Sequence, residues 1–79
     1  MNTATPSSLP SLGMQALIEV FNDLKPPYRQ GDVVRFNLAY LRLYPKLGRS
    51  EKPRAEALAT ALLNNLEDER LASNVFLVF

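Results

Sequence analysis

Large apolar residues recur at steps of three and four near the start of the chain: Leu12, Leu17, Val20, Phe21 and Leu24, with Ala16 beside Gln15 on the same line. That spacing places them on one face of a helix. Pro26-Pro27 ends the pattern firmly, and the Ser11 hydroxyl stands where it can accept from a free amide of the first turn. The pattern predicts a helix over 11–24. Met14 and Ile18 fall off this stripe and give the helix a second apolar strip.

The stretch 33–44 carries two competing periods. Val34, Phe36, Leu38 and Tyr40 alternate with Arg35, Asn37 and Ala39, a strand-like pattern rich in aromatic and β-branched residues. On a helical wheel, however, Arg35, Ala39, Arg42 and Lys46 fall in one narrow stripe and nearly everything else is apolar. The alternation breaks at Leu41-Arg42-Leu43, whereas the helical period continues through Leu43. The helix is therefore preferred, largely buried with one basic edge, capped by Asp32 and stopping before Pro45.

A basic loop, 46–52, follows around Gly48, with Ser50 as a cap and Pro53 in a first helical turn, where its missing N–H costs nothing. From Ala55 to Ala72 good helix formers dominate. Leu58, Ala59, Leu62, Leu63 and Leu66 make the inward stripe, while Glu56, Thr60, Asn64, Glu67 and Asp68 are left to solvent. Asn74 interrupts, and Val75 to Phe79 forms an apolar tail. The expected architecture is all-α, a three-helix bundle over 11–79 behind a flexible lead over 1–10. The alternative is α+β, with strands near 33–40 and 75–79.

Composition changes the picture mainly by removal. Seventy-nine residues, 47% hydrophobic and 22% charged, make one globular domain with a thin stability margin. With no cysteine there are no disulfides, thiolate ligands or cysteine nucleophiles. With no histidine, the commonest general base and metal ligand is missing as well. Nothing in the sequence calls for a cofactor, and the serines lack any partner base or nucleophile-elbow glycines. The three glycines are too far apart to cradle a phosphate. Lys25, Lys46 and Lys52 lie in polar segments that offer no burial to lower a lysine pKa. Glu19 and Asp23 share a helix face, and Glu67-Asp68-Glu69 run consecutively; both read as solvated surface, with no third ligand converging. An enzyme is not expected. Nor is a membrane protein, since no apolar run approaches the ~20 residues of a span, and the absence of a signal-like start suggests the cytoplasm.

Charge carries the remaining information. The net charge is only +1, yet residues 25–54 hold eight basic side chains against Asp32 and Glu51, whereas 55–79 hold four acids against Arg70. Arg35, Arg42 and Lys46 on one helix edge, continued by Arg49, Lys52 and Arg54, form the candidate binding residues. Two partners suit them. One is a larger protein or complex with an acidic surface, on which the chain would dock as a small subunit, adaptor or inhibitor, at a size that would fit a phage or bacterial regulator. The other is nucleic acid, with the phosphates tracked by these cations and Tyr28, Tyr40 and Tyr44 stacking on bases. The low net charge and the acidic third helix favour protein. The tail also leaves room for a homodimer.

Overall fold

In the computed structural model, which describes residues 9–74, three helices follow one another: α1 over Leu12–Asp23, α2 over Gln30–Leu43 and α3 over Lys52–Leu63. Short 3-10 turns occupy Tyr44–Lys46 and Glu69–Asn74. The fold is an all-α three-helix bundle. Residues 33–40 lie wholly within α2, so the strand alternative there is overturned; the other proposed strand, 75–79, falls outside the described residues, as do residues 1–8. Among the described residues, no helix is long and apolar enough to cross a membrane.

Helix α1 begins as its sequence indicates, with the Met14 amide donating to the Ser11 hydroxyl at 3.2 Å. Its buried face is rotated from the expected stripe. Met14 and Leu17 are sealed at 1% and 0% exposure, while Leu12 stands 83% exposed. The first turn of α1 lies against Leu47, and Ser11 is drawn onto Glu51, which accepts from the Ser11 amide at 2.8 Å and from its hydroxyl at 2.6 Å. This anchoring points Leu12 outward and turns Met14 into the core.

Helix α2 starts three residues earlier than expected, at Gln30. Asp32 acts from inside the first turn: its carboxylate accepts from the Arg29 amide at 3.0 Å, one half of a capping box. Burial of α2 is one-sided. Val33, Phe36, Asn37, Ala39 and Tyr40 face inward, while Val34, Leu38 and Leu41 are left exposed at 44%, 63% and 38%. The expectation of a largely buried helix with a single basic edge is corrected: a three-helix bundle has too few neighbours to cover the whole apolar circumference of α2.

Helix α3 ends at Leu63, nine residues short of Ala72, although 64–72 is rich in helix formers. Tertiary pairing overrides propensity here. The Tyr28 amide donates to the Asn65 carbonyl and the Glu67 amide donates to the Tyr28 carbonyl, both at 2.8 Å. Leu66 is thereby held in an extended bridge with Tyr28. The Asn65 side chain donates to the Ala61 carbonyl at 2.8 Å, capping the freed helix end. Of the expected inward stripe, Ala59 and Leu62 are fully buried together with Ala55, and Leu58, Leu63 and Leu66 pack partly against them. An aromatic ladder binds α1 to α2, running Tyr28, Phe21, Phe36, Tyr40, Tyr44 with ring centroids 4.9–6.0 Å apart.

Candidate functional site

The six predicted cations stand in different surroundings. Arg35 is held by α1, its guanidinium donating to Asp23 at 2.8 Å. Arg42 lies two turns further along the same side of α2 and lines, with Arg35, Val20, Leu38 and Ala39, a hollow of about 540 Å³ between the two helices. Ala39, expected in the basic stripe, is its buried floor. Lys46 stands exposed in the 3-10 turn and Arg49 in the loop beyond it. Lys52 turns inward, its ammonium 5.4 Å from the centroid of the Tyr44 ring. Arg54 lines a separate hollow with Leu9, Pro10, Ser11, Gly48 and Glu51. Among the described residues, Arg42, Lys46, Arg49, Lys52 and Arg54 make no ion pair.

A more ordered polar cluster closes this end of the bundle. The Tyr44 hydroxyl donates a hydrogen bond to Glu56, and the Tyr44 ring stacks on Tyr40 at 4.9 Å. That hydrogen bond, reinforced by partial burial and by the charge of Glu56, pushes the Tyr44 pKa up. Tyr40 is raised as well, first by burial and then by its negative neighbours when they ionise. Tyr40, Leu41, Tyr44, Pro45 and Lys52 surround a mainly apolar hollow of about 280 Å³. On the loop side, the two hydrogen bonds from Ser11, with help from the Gly48 amide and Arg54, hold the Glu51 carboxyl below its ordinary range.

Sequence reasoning missed two features here. The exposed strip Val34, Leu38, Leu41 was hidden because every apolar residue of α2 was assigned to the core. The Glu51 anchor was missed because its partner, Ser11, is forty residues away. The candidate aromatic contacts fare differently from one another: Tyr28 and Tyr40 are buried at 4% and 0% exposure, which leaves Tyr44 alone near the surface, already covered by Tyr40 and Lys52. The acidic candidates are dispersed by pairing, Asp23 to Arg35, Glu67 to Arg29 and Asp68 to Arg70. Among the described residues, no group of three or more potential ligands could hold a metal ion.

The fold and this surface define a small helical domain whose distinctive features are exposed apolar residues beside unpaired cations. No family model, curated protein or solved structure matches the chain.

Proposed function

We propose that the protein is a non-catalytic interaction module that docks on a larger protein with an acidic surface. The observation that carries this reading is the solvent-facing side of α2. Val34, Leu38 and Leu41 stand exposed at steps of four and three, and the exposed cations Lys46 and Arg49 follow in the chain beyond the helix end. Exposed apolar side chains grouped on one helix and followed by exposed cations favour a partner that offers apolar contacts and carboxylates. A nucleic-acid partner is less well served, because Tyr28 and Tyr40 are spent in the core and cannot stack on bases.

Affinity capture from a lysate of the native cell tests the reading, with and without nuclease. Capture of one protein partner that survives nuclease and is lost on Lys46→Glu/Arg49→Glu, with melting temperature unchanged, supports it. Capture that nuclease abolishes, or that ignores the double reversal, overturns it.

A further inference from the structure

The groove between α1 and α2 has walls of opposite sign. Ala16, Val20 and Ala39 are its small apolar floor, and Leu38 rises exposed beside it. The α1 wall carries Glu19 and Asp23; α1 itself has no basic residue. The α2 wall carries Arg35 and Arg42. Asp23 and Arg35 satisfy each other at 2.8 Å, which leaves Glu19 and Arg42 as the groove's charges without an ion pair among the described residues. Packing of Phe21 on Phe36 fixes the register and sets Glu19 level with Leu38, between Arg35 and Arg42.

A face with acid along one helix and base along the other complements itself. Rotation by half a turn about an axis along the groove brings the acidic helix of one copy over the basic helix of the other. We propose that the α1–α2 face pairs with its own copy, with Glu19 of each protomer facing Arg42 of the other and Leu38 closed into a four-helix core. The small floor residues permit close approach of the facing helices. Helices of 12 and 14 residues side by side give a face about 20 Å by about 20 Å. Pairing two such faces buries roughly 800–1,000 Å², below the ~1,200 Å² of standard interfaces, so the dimer is weak. A hetero-partner would need no such match between the two walls. This pairing covers Leu38 of the proposed docking strip, whereas Lys46 and Arg49 follow the last turn of α2 and lie outside the face, so a dimer still presents both cations of each protomer.

Sedimentation equilibrium of the full chain, from about 10 µM to about 1 mM, tests the proposal. A concentration-dependent dimer is expected. Glu19→Arg and Arg42→Glu should each lower the association constant by about tenfold or more, because each change acts twice across the two-fold axis and sets like charges together. The double variant Glu19→Arg/Arg42→Glu should return to within about threefold of the wild type. Circular dichroism establishes that each variant is folded; among the described residues neither side chain makes an ion pair. If a single reversal unfolds the chain, Glu19→Gln and Arg42→Gln carry the same test, each expected to weaken association by about threefold or more. A chain that stays monomeric up to about 1 mM, or a dimer indifferent to these changes, overturns the proposal. So does a double variant as weak as the single ones. None of these changes touches Lys46 or Arg49, so a wild-type chain that stays monomeric yet captures its partner refutes this inference alone.

Discussion

The rotation of α1 makes two residues, two positions apart, behave in opposite ways. Met14 is 1% exposed and Leu12 is 83% exposed, although the spacing of apolar residues favours Leu12 as the core position. Met14→Ala removes three heavy atoms beyond Cβ from a sealed site packed with Leu17, Phe36 and their neighbours. At ~0.8 kcal/mol per buried methylene-sized group the transfer loss is about 2.4 kcal/mol. Incomplete collapse of the cavity raises the total to about 3 kcal/mol, inside the ~2–5 kcal/mol typical of methionine truncation. A domain of this size has about 5 kcal/mol to lose. Leu12→Ala removes similar atoms from open solvent and slightly improves helix propensity, so its effect should stay within ~0.5 kcal/mol. Urea unfolding followed by circular dichroism separates the two. With a slope of about 1 kcal/mol per molar urea, Met14→Ala should move the midpoint down by about 3 M and Leu12→Ala by less than ~0.5 M. A Leu12→Ala loss above ~1 kcal/mol, or a Met14→Ala loss below it, would refute the assigned orientation of α1.

Two further perturbations probe the clusters at the end of the bundle. Because the folded-state pKa of Tyr44 lies above its ordinary value, the Tyr44–Glu56 contact contributes fully below about pH 10 and is lost as pH rises beyond it. Glu56→Gln should therefore lower the apparent pKa seen in phenolate absorbance and flatten the alkaline fall in stability; an unchanged titration would deny the hydrogen bond. Glu51 has the opposite sign: its lowered pKa means that its contribution is present above the ordinary carboxylate range and lost as pH falls through the folded value. Glu51→Gln should destabilise at neutral pH and reduce the loss on acidification, and equal acid sensitivity in variant and wild type would show that Ser11 is not anchored there.

Element type was legible where short-range chemistry decided it. Ser11 and Pro26-Pro27 bracket α1, and Pro53 sits in the first turn of α3, because caps and prolines act on the backbone next to them. The continuity of the helical period through Leu43 outweighed the alternation before it, and α2 is helical. What failed was set by distant contacts. Propensity carries a helix through 64–72, yet two backbone hydrogen bonds from Tyr28, nearly forty residues earlier, pull Leu66 out of it. The direction in which α1 faces is likewise decided by Glu51, which no local pattern links to Ser11.

The cations show the same division between residue type and placement. Their accumulation in 25–54 is visible in the sequence, but a helical wheel treats α2 as an isolated rod and cannot say which positions neighbouring helices will cover. Ala39 lies within the predicted basic stripe, and α1 packs there, so the stripe is split by the groove it was expected to border. Arg35 is taken up by Asp23, and Lys52 settles over Tyr44. Arg42 is left on the α1–α2 face, while Lys46 and Arg49 are left at the end of the bundle. Cations that looked continuous along the chain therefore belong to two surfaces with different needs. On the face, Arg42 has an acidic counterpart within the same molecule, Glu19, which a second copy can bring to it. Lys46 and Arg49, beyond the last turn of α2, lie outside that exchange, and in the proposed docking they meet carboxylates of a different protein. In the two proposals self-association and docking draw on separate charges but share Leu38, so a weak dimer presents two basic ends to a repeated or extended acidic surface while competing with the partner for that residue.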